Sequence, residues 1–218
     1  MEGYGNMKAA PELVDSKTSM WWDMDTCPVP DGYDARRIRP SIESALKDLG
    51  YLGPVTISAM GNLEKTPAHV LQGLSSTGVD VTHTVSSTVG PYILYGYMEF
   101  KRLNPPPATI MIISDKVDDE LAPVLCRAQQ ITGGYNLVVA HTCTMRKWTQ
   151  ALYTTAEWFW KIILGDDQQL QNFSESGEST KFLCQSCQFT APAVTNFTSH
   201  LSTDIHKQKE LNIIESRS

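Results

Sequence analysis

The stretch Trp21-Trp22-Asp23-Met24-Asp25-Thr26-Cys27-Pro28-Val29-Pro30 decides how the chain is read. Bulky apolar residues run into two acids, then into a loop where Pro28 and Pro30 lack the N–H that a continuing ladder needs. An interior strand is therefore predicted to stop at the acids. On an extended chain Asp23 and Asp25, two apart, project to the same side. The blander alternative is that one acid caps the next helix, a place Asp favours, while the other is solvated.

A second acidic group gives the first its weight. Ala108 to Ile113 reads Ala-Thr-Ile-Met-Ile-Ile, a buried strand, and runs into Ser114-Asp115-Lys116-Val117-Asp118-Asp119-Glu120. Between the two groups, Ile38, Ile42, Ala45, Leu46 and Leu49 form a helical stripe stopped at Gly50, with Pro40 suited to the first turn. Val55 to Met60 is a second strand, Thr66 to Ser76 a helix, and Val79 to Val85 alternates with the period of a third strand. Tyr92 to Leu103 is helical up to the break at Asn104-Pro105-Pro106-Pro107. Past the second acidic group come a helix over Leu121 to Ile131, a turn at Gly133-Gly134 and a strand over Leu137 to Ala140. An aromatic helix over Lys147 to Leu164 follows, with Trp148, Trp158 and Trp160. Strand and helix alternate without a hairpin signal, which predicts an α/β fold with a three-layer parallel sheet. In such sheets ligands bind beyond the carboxyl ends of the strands, where both acidic groups fall.

The 218 residues suffice for one α/β domain and a small module. A net charge of −6 argues against coating nucleic acid by bulk electrostatics, so any such contact is local or metal-assisted. Residues 1–17 have neither the apolar core of a signal peptide nor the arginines of a transit peptide, and are expected to be a flexible tail. No apolar run approaches the roughly 20 residues of a membrane span, so the expected location is cytoplasm or nucleus, with no membrane partner. Cys27, Cys126 and Cys143 are expected to be reduced core thiols. His69, His83 and His141 are expected to be structural, and a homodimer is compatible with the sequence.

Gly165 to Thr180 gives up the apolar pattern for Gln, Ser, Glu and Gly, and residues 166–180 read as a linker. Beyond it, Cys184-x2-Cys187-x12-His200-x5-His206 has the spacing of a tetrahedral Cys2His2 zinc site, a finger over residues 181–211. Phe182, Phe189, Phe197 and Leu201 are its few apolar side chains, so Zn²⁺ would supply most of its folding free energy. Lys207 and Lys209, just past the second His, could touch phosphate or be solvated.

If the first and fourth strands are neighbours, Asp23 and Asp25 come near Asp115, Asp118 and Asp119. Such a carboxylate cluster repels itself unless a cation is present, and hard oxygen ligands suit Mg²⁺ or Mn²⁺. The implied chemistry is phosphoryl transfer to water. Arg36, Arg37 and Arg39 could hold substrate phosphates by forked hydrogen bonds, or form surface salt bridges.

Trp21 to Pro30 resembles the opening strand of the NYN domain, a PIN-like nuclease fold, and is most similar to its limkain or meiosis-regulator branch, whose first motif reads approximately Phe-Trp-Asp-Ile-Glu-Asn-Cys-x-Val-Pro. Asp23 falls on that family's first catalytic acid, Asp25 stands where the branch has Glu, and Thr26 where it has Asn. The resemblance covers residues 18–165, and a following zinc finger is similar to what plant members of the group carry. It implies a metal-dependent endoribonuclease acting on single-stranded or structured RNA. Asp23, Asp25, Asp115, Asp118 and Asp119 would be the catalytic acids and Thr26 a substrate-binding residue. Two positions depart from the family: Gly90-Pro91 stands where it has another acid, with Glu99 further along the helix, and Lys116-Val117-Asp118-Asp119 interrupts its Ser-x-Asp pattern.

Two alternatives stay open. Asp23-Met24-Asp25-Thr26-Cys27 resembles the first motif of haloacid-dehalogenase-like phosphatases except at its last position, and Ser114-Asp115-x3-Asp119 resembles their late acidic motif. The other is a non-catalytic RNA-binding or scaffold protein whose finger does the recognition.

Overall fold

The computed structural model describes residues 6–85, 88–117, 121–132, 135–142, 152–165 and 180–216. Strands β1 (Thr18–Asp23), β2 (Val55–Gly61), β3 (Asp80–His83), β4 (Ala108–Ile113), β5 (Tyr135–His141) and β6 (Ala156–Phe159) are parallel. With β7 (Phe182–Cys184) and β8 (Phe189–Ala191) they form one sheet in the order β6-β5-β4-β1-β2-β3-β7-β8. The helices are α1 (Ile38–Asp48), α2 (Ala68–Ser76), α3 (Val89–Leu103), α4 (Ala122–Thr132), α5 (Trp160–Leu164), α6 (Val194–Leu201) and α7 (Asp204–Glu215). None is long and apolar enough to cross a membrane.

Every residue of β1 is buried, as expected of a strand covered on both faces. Successive tryptophans therefore serve opposite layers. Trp21 meets Phe100 of α3 edge-on, and Trp22 packs against Trp160 of α5 with ring centroids 5.0 Å apart. The α3 layer comes close because Gly96 has no side chain: a Cβ there would lie 2.2 Å from the Trp21 indole nitrogen. One apolar cluster joins α1, α2 and α5 to the sheet and extends to Phe182, Phe197 and Leu201; the other joins α3 and α4 to the opposite face.

Three expectations are altered. The single helix over Lys147 to Leu164 is replaced in its described part by edge strand β6, and only Trp160–Leu164 is helical. Aromatic Trp158 and Phe159 suit a strand, and β5 supplies the ladder partners. Trp148 and Cys143 lie outside the described residues.

Residues 6–17, expected as a tail, are tied across the chain: Met7 N–H donates to Thr155 O, Ala9 N–H to Leu49 O, and the Asn6 side chain accepts from Glu157 N–H. The finger segment, expected to hang from a linker, adds β7 to the edge of the sheet beside β3. Thr180 is fixed there, its hydroxyl donating to Val79 O at 3.0 Å, whereas residues 166–179 lie outside the described ones.

Candidate active site and cysteine–histidine cluster

β1 and β4 are adjacent, and the chain reverses its direction of progress across the sheet between them. The crevice at this switch point is where α/β sheets bind ligands. Asp23 is the last residue of β1 and fully buried. Its Oδ1 accepts from Asp25 N–H at 3.0 Å and Thr26 N–H at 3.4 Å. Its Oδ2 accepts from the hydroxyls of Thr26 at 2.8 Å and Ser114 at 2.9 Å. A buried carboxylate needs this much compensation, and the donors come from both acidic loops.

Thr26 joins the two loops. Its hydroxyl donates to Asp23 and accepts from Asp115 N–H at 3.1 Å. Its donor and one of its two lone pairs are engaged within the protein, so Thr26 bridges the two loops. The Asp115 carboxylate accepts from Thr142 N–H at 2.6 Å and from the Thr142 hydroxyl, at the end of β5. Of the three acids expected to share this position, Asp115 is the described one; Asp118 and Asp119 lie outside the described residues.

Asp25 does not project beside Asp23, because the chain has already left the strand for a turn. It reaches the end of β2, where Oδ1 accepts from Asn62 N–H at 2.7 Å and Oδ2 is buried without a hydrogen-bond partner. Gly61 makes room: a Cβ there would lie 2.7 Å from Asp25 Oδ1. The oxygen-only set of Asp23, Thr26, Ser114 and Asp115 has the donor chemistry of a hard divalent cation.

Arg39 donates to Glu43, to Gly78 O and to Val55 O, binding the entrances of β2 and β3 at the sheet end opposite Asp23. Of the two uses expected of Arg39, the ion pair is the one present, with Glu43 at 2.7 Å. Arg36 is forked onto Asp34, whose carboxyl it holds below the usual range, and Arg37 lies over the Tyr33 ring. Glu99 pairs with Arg102 on the exposed side of α3, and Gly90 is buried in its first turn.

At the far edge of the sheet, ligand atoms of Cys184, Cys187, His200 and His206 lie within 4.8 Å of one another. His206 Nδ1 stands 3.7 Å from Cys184 Sγ and 3.5 Å from Cys187 Sγ. A tetrahedral zinc with its usual bond lengths would separate S and N ligands by about 3.6 Å. His200 Nε2 is buried without a partner, under the stacked Phe189 ring. Burial pushes the Cys184 thiol up to about 12 and lowers both imidazoles, so the imidazoles are neutral and the thiol needs a cation to ionise. The residues fit zinc.

Sequence reasoning missed Thr142, Asn62 and Glu210, whose parts depend on which strand ends meet. His83 was expected to be structural; it accepts from Leu63 N–H and contacts Glu210, an acid 127 residues away.

A mostly parallel α/β sheet with a buried acid at its switch point defines the class by fold: an α/β domain whose ligand crevice lies beyond the ends of β1 and β4. The NYN domain model matches residues 17–159, and the chain belongs to the NYN family. Domains of this PIN-like family are generally nucleases acting on RNA. A comparison with curated proteins finds no match.

Proposed function

We propose that this protein is a metal-dependent endoribonuclease of the limkain or meiosis-regulator type. Residues 18–165 would form the nuclease unit and residues 181–211 a Cys2His2 zinc finger docked on its edge. The observation that carries the reading is Asp23, buried at the end of β1 and linked through Thr26 and Ser114 to the Asp115 loop. Asp23, Asp115 and Asp25, with Asp118 and Asp119 nearby in sequence, would hold Mg²⁺ or Mn²⁺. When bound, the cation would neutralise charge on a scissile phosphate and lower the pKa of water. The chain's own part is to fix the carboxylates: Asp23 by four hydrogen bonds, and Asp115 by the two from Thr142. Membership of a nuclease family favours this over the phosphatase reading.

The finger would help hold single-stranded or structured RNA. A cleft between nuclease and finger, lined by Leu63, Glu64, Thr198, Ser202 and Lys207, supports that role, since Lys207 can meet a phosphate there.

The test uses zinc-saturated protein, labelled single-stranded and hairpin RNA, and a generic phosphomonoester, with and without added Mg²⁺ or Mn²⁺, beside Asp23→Asn. Internal RNA cuts that need the added cation and vanish in the variant support the proposal. Phosphate release without RNA cutting, or RNA binding with no cutting by either protein, overturns it.

A further inference from the structure

One group of buried polar side chains belongs neither to the acid site nor to the four candidate zinc ligands themselves. His83, the last residue of β3, is fully buried. Its Nδ1 accepts from Leu63 N–H at 3.0 Å, so the ring proton is on Nε2, which donates to Glu210 Oε1 at 2.7 Å. Ser186, between the two cysteines, donates its hydroxyl to the same oxygen at 2.9 Å. The other Glu210 oxygen faces His206 Nε2 at 3.7 Å, a buried nitrogen with no hydrogen-bond partner. Glu64 stands equally far from that nitrogen, but its side chain is 33% exposed against 10% for Glu210.

His83, His206 and Glu210 also have the composition of a second metal site. The separation of 2.7 Å between His83 and Glu210 rules against it. That is a hydrogen-bond length, whereas two ligands on one tetrahedral zinc stand about 3.3 Å apart.

Once His206 Nδ1 is on a metal, its Nε2 carries the proton and needs an acceptor, the usual task of an outer carboxylate. We propose that Glu210 is the positioning residue of the zinc site: its two oxygens take the N–H groups of His206 and His83 and so weld the finger to the nuclease sheet. The weld reaches the acidic edge through consecutive amides, because Leu63 N–H holds His83 while Asn62 N–H holds Asp25. The finger is therefore a fixed part of the nuclease wall, and zinc occupancy sets the order of the loop after β2. This inference rests on the zinc reading above.

Zn²⁺ affinity of the full chain would be measured by chelator competition, and the visible spectrum recorded after Co²⁺ loading, for wild type, Glu210→Gln and the exposed control Glu215→Gln. Gln is isosteric but turns an N–H toward the His206 N–H. A fall of about 10- to 100-fold in affinity with shifted Co²⁺ bands is expected for Glu210→Gln alone. Hydrogen exchange of the wild type, with and without chelation of zinc, is the second measurement. Chelation should deprotect the amides of Asn62, Leu63 and Thr84 as well as residues 182–206. The inference is overturned if Glu210→Gln matches wild type, or if deprotection stops at the finger. Failure of wild type to take up one Zn²⁺ per chain would instead remove the zinc reading itself.

Discussion

The two candidate sites lie on one sheet but are built in opposite ways. The cysteine–histidine cluster draws its ligands from 23 consecutive residues, Cys184 to His206, and two of its ligand separations already match those of a tetrahedral ion. The acid site draws on the ends of four strands, with Ser114 donating to a carboxylate 91 residues earlier. One is a local device that closes on a soft-ligand cation; the other exists only where a parallel sheet reverses its winding. Their difference teaches where each gets its rigidity. In the proposed reading the cysteine–histidine unit has a small core and would depend on metal, whereas the acids are held by a strand buried on both sides and by hydroxyl bridges.

Removing zinc should have the largest effect. Metal binding to such a unit is worth on the order of 10 kcal/mol, so chelation or Cys184→Ser should unfold residues 182–216 while leaving β4 to β6 protected in hydrogen exchange. Loss of the whole sheet together would erase the distinction between the two sites. The sign of the pH dependence follows from the ligands: binding displaces a proton from a thiol pushed up to about 12, so zinc affinity should rise with pH and weaken on acidification. The lowered imidazoles act in the same direction, since their contribution is present above their ordinary value and is lost as pH falls through the depressed one.

Asp23→Asn should lower metal-supported RNA cleavage by at least about a hundredfold, the scale of removing one preorganised charge contact. Zinc uptake should be unchanged in a parallel titration. Thr26→Val keeps the side-chain shape but leaves Asp115 N–H and one Asp23 oxygen short of a partner. It should cost about 1–3 kcal/mol in urea unfolding and lower cleavage as well, with zinc affinity intact. Smallest of all, Arg36→Ala removes an exposed pair with Asp34 and should change stability by less than about 0.5 kcal/mol. A larger loss would give Arg36 a role in the acidic edge that its present geometry does not.

Much of this was legible in the chain. The apolar run stopping at Asp23, the run over Ala108 to Ile113, and the helix stripe from Ile38 each describe one element meeting one environment, and the structure bears them out. Ala156 to Phe159 misled because aromatics on a buried helix and on an edge strand look alike over four residues, and the deciding partner is β5. Thr26 drew notice only by standing where the resembling family has Asn; its partners Asp23 and Asp115 become visible only when two strand ends meet. Arg39 looked free to reach phosphate until Val55 and Gly78 carbonyls took its guanidinium.

The sequence by itself determined the strand–helix alternation, the acids that end two strands and the spacing of Cys184, Cys187, His200 and His206, because each depends on side chains close together along the chain. Only the tertiary structure decided that Asp25 turns to β2, that Thr26 bridges two loops, that β7 pairs with β3, and that His83 meets Glu210. Those outcomes are pairings between distant segments, chosen by which buried polar groups can satisfy one another once the sheet has brought them together.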